Sequence, residues 1–327
     1  MKAVTFEPET DRFTVAEQAT PQPGPHDVLI RVDACGLNPV DAKIRLWKSF
    51  APDMRSGWVP GLDVSGHIVA VGDEVTSWQA GDRVLCHGDM FRPHGGFAEY
   101  TVQRAAALVG HPDIPAPEAA ATPCAGWTAW RALVDKMHAG RHDSLFIAGG
   151  SGGVGSFAIQ IARHLGVNPI VVSCSQRNHD YVTSLGATHT IDYRSEDVIE
   201  RVREITAGAG VTLAVDAVGP ETDRIVAECL AFEGQMVELV DVARPADYRD
   251  VFSRGLSFHQ LSLGSGHRNG TEALRTLVAA GTAFSELLEA DAIAVPRLGT
   301  IDIDQVGDAL DAMLAQHTVG KIVMVTQ

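Results

Sequence analysis

The sequence is short of positive charge, cysteine and aromatic residues, and it has no long apolar run. Each shortage excludes something. Lys and Arg number 26 against 41 Asp and Glu, a formal net charge of −15. Nucleic acids and anionic membrane surfaces want basic patches, so neither is expected as a partner. The excess acid reads as serving solubility. The five cysteines, Cys35, Cys86, Cys124, Cys174 and Cys229, are odd in number and scattered. No C-x-x-C occurs, so neither a disulfide framework nor a zinc finger is signalled. They read as reduced thiols of a cytoplasmic protein. The opening MKAVTFEPETDRF has no apolar signal region, and no run approaches the length of a membrane span.

What is present points to two domains. A chain of 327 residues is long for one domain and comfortable for two. It is 45% hydrophobic, enough for a full core, and its 32 glycines suit tight turns. Residues 1–110 read as β-rich. DVLIRVDAC alternates at Val28, Ile30, Val32 and Ala34, the period of a half-buried strand. GLDVSGHIVAVGDEV, GDRVLCHG and GGFAEYTVQ follow as short strands between turn signals, which suggests a barrel-like β domain. Near Pro117 the pattern changes. APEAAATPCAGWTAWRALVDKM is Ala-rich with helical spacing. Strands and helices then alternate through SLFIAG, GVGSFAIQIARHLG, PIVVSC, NHDYVTSLG, HTIDY and SEDVIERVREITAG. Such alternation predicts an α/β doubly wound parallel sheet with helices on both faces. GDALDAMLAQHTVGKIVMVTQ reads as a helix followed by a closing strand, whereas TAFSELLEADAIAV gives no firm pattern.

The strongest single signal is SLFIAGGSGGVGSFAIQIARHLG. Gly150, Gly152 and Gly155 satisfy G-x-G-x-x-G between a strand and a helix, the context that makes this motif specific. Glycines let the backbone turn tightly against a pyrophosphate. The N–H groups of Ser151, Gly152, Gly153 and Val154 at the helix start are candidates to bind it. An NAD site would carry an acidic residue at the end of the next strand, for the ribose hydroxyl. Here the strand ends VVSCSQRNHDY, with Ser173 near its end and Arg177 shortly after. An acid there would repel a 2′-phosphate, and arginine can clamp one, so the pair favours NADP(H). The alternative for Arg177 is an ordinary solvated surface arginine. Asp180 nearby weakens the case slightly.

Several segments, in this order, carry a resemblance: ACGLNPVDAKIR, PGLDVSGHIVAVG, GDRV, GGFAEY, GWTAWRAL, AGGSGGVGSFAIQIA, SLGATHTIDY, VDAVG and HTVGKIVM. The chain resembles the medium-chain dehydrogenase/reductase superfamily over essentially its full length. Within it, the chain looks like the zinc-free quinone oxidoreductase branch. The resemblance implies a GroES-like β-barrel substrate domain, residues 1–120 and 271–327. It also implies a Rossmann dinucleotide-binding domain, residues 121–270, inserted between them, with the active site in the cleft and a homodimer through LSFHQLSLG. In the zinc enzymes of the superfamily a Cys stands where this chain has Asn38, and a His where it has Leu62. Cys124 stands at a third ligand position. One ligand of three remains, too few for a catalytic zinc, so no metal is expected. Cys35 and Cys124 read as small packing residues. Cys86, His87, Asp89 and His94 match no familiar metal spacing.

Without a metal Lewis acid, polarised acceptors become the natural substrates, and hydride passes from NADPH to a quinone or to the β-carbon of an enone. The resemblance places Asn38 and Asp41 beside the nicotinamide as candidate catalytic residues. The alternative is that Asn38 and Pro39 make a turn and Asp41 caps the following helix. The resemblance also implies cofactor contacts for Thr128, Tyr193, Val218, Gly219 and Lys321. Tyr193 reads equally well as a buried strand residue. Trp47, Phe50 and Trp58 in RLWKSFAPDMRSGWVPG are candidates for an apolar wall around the acceptor, though Trp47, Phe50 and Met54 also have the spacing of ordinary core. No general acid is evident. Lys43, Arg45 and Lys48 are possible donors but read as solvated charges. Two other readings stay open: a zinc-dependent alcohol dehydrogenase, and a weakly catalytic NADPH-binding sensor or structural protein.

Overall fold

The computed structural model describes residues 1–49, 51–315 and 318–326. Phe50 lies outside the described residues. The chain divides into two compact units, one of residues Met1–Trp127 with Leu263–Gln327 and one of Thr128–Ser262. No helix among the described residues is long and apolar enough to cross a membrane.

The discontinuous unit is built on a seven-stranded sheet. Its spine is the strand Asp27–Leu37, which pairs antiparallel with Asp63–Val71, Tyr100–Arg104 and Lys321–Val325. The alternation read at Val28, Ile30, Val32 and Ala34 holds for the first three. These are buried in one core cluster, with Arg31 between them exposed. An irregularity between Val32 and Ala34 then puts Ala34 in a different cluster and brings Cys35 and Leu37 into theirs. Lys321–Val325 also pairs in parallel with Leu298–Ile301. The stretch TAFSELLEADAIAV, which gave no firm pattern, belongs largely to one long helix, Gly270–Glu289. Gly281 stands in the middle of this helix, just before that stretch. Its lack of a side chain is needed, because a Cβ there would sit 2.7 Å from the ring of Trp127. The Ala-rich stretch after Pro115 is broken rather than one helix. It runs as Ala116–Ala120, then a wide turn at Pro123–Trp127 where proline cannot continue the ladder.

The other unit is a six-stranded parallel sheet with helices between its strands. Its first strand, Leu145–Ala148, is central. The second and third lie to one side and the fourth to sixth to the other. This is the doubly wound order whose switch point falls after the first strand. Strands such as Leu145–Ala148 and Ile170–Cys174 are buried at every position, as two-sided burial requires.

Candidate active site

The first group of candidate residues lies in the discontinuous unit. Asn38 is the N-cap of a short helix, Pro39–Ala42, with Pro39 fixing the first turn. Asp41 therefore sits inside this helix rather than capping a later one. Its Oδ2 accepts from the Asn38 backbone N–H at 3.0 Å. The Asn38 amide is held on both sides. Its Nδ2 donates to Asp63 Oδ2 at 3.0 Å and to the Gly36 carbonyl at 3.3 Å. Its Oδ1 accepts from the Lys321 ammonium, which also donates to the Leu37 carbonyl at 3.2 Å. An ammonium can only donate and a carboxylate only accepts, so these two neighbours fix which way the amide faces.

All four polar residues are buried, Lys321 being only 4% exposed. Two carboxyl groups thus share one ammonium, which lies 3.7 Å from Asp63. Burial pushes the Asp63 carboxyl up to about 6, against the pull of Lys321. Asp41 has no such direct partner, and its Oδ1 is buried without a hydrogen bond among the described residues. Burial, followed by the charge of Asp63, pushes it up to about 8. Asp41 is therefore the more readily protonated of the two carboxyls. Asp63 was not singled out in the sequence. Its signal is a carboxylate opening an apolar strand, DVSGHIVAV, whose partners lie far along the chain.

One trio among the described residues could bring three metal donors together. Ligand atoms of Asp63, His87 and Cys124 lie within 4.8 Å of one another. The trio does not fit a catalytic metal. Asp63 already accepts from Cys124 N–H at 2.9 Å and from Asn38, with the ammonium beside it. Burial and the charge of Asp63 hold the Cys124 thiol well above its usual range, away from the thiolate that binds metal. A divalent ion would also face a fixed ammonium in a low-dielectric interior. Leu62 is 2% exposed, packed in an apolar cluster with Phe6, Ile44, Trp47, Met54 and Trp58. Trp47 and Trp58 are therefore core residues of this segment, and Trp47 donates to the Val40 carbonyl at 3.0 Å. Cys35 is fully buried beneath Gly61 and Gly96, where an added Cβ would meet its sulfur at 3.0 and 2.7 Å. Among the weighed cations, Arg45 pairs with Asp11 at 3.5 Å and Lys43 is half-buried.

The second group lies in the parallel-sheet unit, around the glycine turn. Gly149 has φ +81°, and the N–H groups of Gly149 and Gly150 both donate to the Ser173 carbonyl at 3.2 and 3.3 Å. Ser173 thus contributes its backbone to the shape of the turn. A Cβ on Gly150 would lie 2.1 Å from Val172, and one on Gly155 would lie 2.5 Å from the Gly149 carbonyl. Gly152 differs. A Cβ there would meet nothing nearer than 3.5 Å. Its small size leaves an open approach rather than relieving a clash. The helix Gly153–His164 starts here with Gly152 as its N-cap, and its first N–H groups have no partner within the helix. The cradle fits a pyrophosphate. Asn178 steadies it by donating to Ser151 Oγ at 3.1 Å.

The ends of the second and third strands carry the specificity candidates. Arg177 is exposed and makes no ion pair among the described residues. Tyr193 is 52% exposed, not a buried strand residue, and its hydroxyl lies 3.4 Å from Ser175 Oγ. Arg194 lies over its ring at 5.6 Å. Ser175 and Arg194 are additions to the sequence reading. They adjoin the predicted positions but match no motif. Val218 is partly exposed and lies against Gly149, while Gly219 turns the chain with φ +112°. Thr128 is buried at the start of its own short helix.

Two family models match the chain. One, described as an alcohol dehydrogenase GroES-like domain, matches residues 24–113. The other, described as a zinc-binding dehydrogenase, matches residues 153–280. A curated quinone oxidoreductase from Pseudomonas aeruginosa is 34% identical over 225 residues, 68% of this chain and 68% of its own. A trans-enoyl reductase from Aspergillus terreus is 37% identical over 211 residues, 61% of this chain and 57% of its own. With several such curated relatives the match spans only 56–60% of the relative's length. A solved quinone oxidoreductase from Pseudomonas syringae pv. tomato superposes with a TM-score of 0.86 at 26% identity, covering 99% of both chains. With these matches added to the doubly wound sheet and its glycine turn, the chain belongs to the medium-chain dehydrogenase/reductase superfamily, on its quinone oxidoreductase branch.

Proposed function

We propose that the protein is an NADPH-dependent reductase that passes hydride to a quinone or to the β-carbon of an α,β-unsaturated carbonyl, without a metal. The observation that carries this reading is the buried ammonium of Lys321, set against Asn38 and Asp63 where a metal would need free donors. A bound reduced nicotinamide supplies the hydride. The chain's own residues hold and orient. The glycine turn and the helix start at Gly153 take the pyrophosphate. Arg177, with Ser175, Tyr193 and Arg194, offers donors to a 2′-phosphate. Val218, Gly219 and Thr128 complete the dinucleotide surface on this reading.

Asn38 presents a fixed amide, and the Lys321 charge stabilises negative charge developing on an acceptor oxygen. Asp41 is a positioning residue. Its carboxyl holds the Asn38 backbone and is more readily protonated than that of Asp63 in the same buried network. The relatives named as quinone oxidoreductase and trans-enoyl reductase support both acceptor classes. A homodimer through the edge strand Ser257–Gln260 belongs to the same proposal.

The test is direct. Metal-analysed protein is mixed with NADPH or NADH and a naphthoquinone, an alkyl enone or a simple aldehyde, and loss of reduced-nicotinamide absorbance is followed. Faster turnover of quinone or enone with NADPH, in protein free of zinc, is the expected result. Stoichiometric zinc with aldehyde turnover would instead establish the alcohol dehydrogenase reading. Tight NADPH binding without turnover of any acceptor would favour a sensor or structural role.

A further inference from the structure

A second pair of buried carboxyl groups lies in the parallel-sheet unit, where no cation among the described residues accompanies it. The strands Val211–Asp216 and Leu230–Glu238 are neighbours, and their register sets Asp216 opposite Glu238. Each residue ends its strand, and neither is more than 1% exposed. Each commits one oxygen to the loop that follows. Asp216 Oδ1 accepts from the N–H groups of Val218 and Gly219 at 2.9 and 3.2 Å. Glu238 Oε1 accepts from those of Val240 and Asp241 at 2.8 and 2.9 Å. The other two oxygens, Asp216 Oδ2 and Glu238 Oε2, are buried without a partner among the described residues. Glu238 lies close enough to help hold the Asp216 carboxyl up.

Two ionised carboxylates would repel here, and two unpartnered buried oxygens are costly. One proton between them removes both difficulties. Among the described residues the surroundings offer no other remedy. In register, Asp216 is flanked by Ala148 and Glu238 by Gln260, both neutral. From the helix Thr222–Glu228, Asp223 is taken up by Arg244 and Tyr248. The Tyr248 phenol feels the charge of Glu238 but donates to Asp223. Arg254, on the helix Val251–Arg254, is bonded to the carbonyls of Ala227 and Leu230. Asp241, on the loop itself, adds only further negative charge.

We propose that Asp216 and Glu238 share a single proton and so lock loops 217–219 and 239–241 together, making the pair a positioning latch for the dinucleotide surface. The two loops already touch, since a Cβ on Gly219 would lie 2.8 Å from Val240. The latch rests on the proposed function in one respect, that Val218 and Gly219 line the dinucleotide site. Burial, then the Glu238 carboxylate, pushes the Asp216 carboxyl up to about 7. Above that pH the proton passes to solvent, two negative charges face each other and the loops are released.

The experiment measures NADPH affinity by titration calorimetry from about pH 6 to about pH 8.5, on wild type, Glu238→Gln and Glu238→Leu. Glu238→Gln keeps the acceptor for Val240 and Asp241 and donates permanently to Asp216. Wild-type affinity falls about tenfold across this range, whereas Glu238→Gln stays nearly level. Glu238→Leu binds weakly at every pH. The 2′-phosphate of NADPH also titrates, so the difference between wild type and Glu238→Gln is what decides. Equal slopes in the two proteins overturn the latch.

Melting temperature against pH, without cofactor, gives a second readout. The folded state holds a proton that the unfolded state has lost between about pH 4 and about pH 7, so this contribution to stability declines as pH rises through that window. Wild type therefore loses more melting temperature there than Glu238→Gln. If no variant binds NADPH, the cofactor reading fails, and the melting difference still decides the latch on its own.

Discussion

The two units place their candidate chemistry in opposite settings. In the discontinuous unit, Asn38, Asp41, Asp63 and Lys321 are all buried. In the parallel-sheet unit, Arg177, Tyr193 and Val218 stand at the surface, beyond the ends of three different strands. The contrast teaches which changes should cost stability and which should cost binding alone. A buried polar group is part of the core, so removing it leaves its partners unpaired in a low dielectric. An exposed one is already solvated, and its loss is felt only when a ligand would have used it.

Lys321→Met should break this contrast most severely. It strips the ammonium donor from Asn38 Oδ1 and the paired cation from Asp63. A loss of about 3–5 kcal/mol is expected in denaturant unfolding, the scale for breaking one side of a buried ion pair. A loss below about 1 kcal/mol would show that water reaches the network.

Within the glycine turn the same contrast can be drawn at two positions. Gly155→Ala places a methyl 2.5 Å from backbone atoms and should destabilise by about 1–3 kcal/mol. Gly152→Ala meets nothing closer than 3.5 Å, so its melting temperature should hold while NADPH affinity drops. Equal melting temperatures for the two variants would mean that the turn relaxes freely.

Asp41→Asn sharpens the comparison through pH. The raised carboxyl of Asp41 contributes stability that is full below about pH 4 and is lost as pH rises through about 8. The amide carries no such dependence, so the variant should gain on wild type steadily across that window in pH-dependent denaturation. Parallel curves would place the proton elsewhere.

The smallest effect on the fold belongs to Arg177→Ala. Stability should move by less than about 0.5 kcal/mol, as at other exposed sites. NADPH binding should weaken about tenfold while NADH binding is unchanged. A drop shared equally by both cofactors would remove Arg177 from the phosphate site.

Much of this was legible in the sequence where the signal is local. The glycine turn announces itself because strand, turn and helix are contiguous and the spacing of Gly150, Gly152 and Gly155 follows from backbone approach. Asn38 and Asp41 stood out within one short segment. Asp63, Asp216 and Glu238 did not. Each is an acid at the end of a strand, and only the sheet register tells which neutral or charged group it meets. The Ala-rich stretch misled for the opposite reason. Its composition favours helix throughout, but Pro123 interrupts the ladder. Trp47 and Trp58 carried a pattern that suits a ligand wall as well as a core, and burial alone separates the two.

Asn38 and Lys321 are 283 positions apart in the chain. During synthesis the strand carrying Asn38 emerges long before the one carrying its counter-charge, and the whole parallel-sheet unit is made in between. Until Lys321 arrives, Asp41 and Asp63 have no cation to share, and the spine strand lacks its partner Lys321–Val325. The nascent first segment is therefore held back from a finished core, exposed to chaperones and to the closure entropy of a very long loop. The inserted unit, one contiguous stretch of chain, can complete first and act as the clasp that brings the two distant strands within reach.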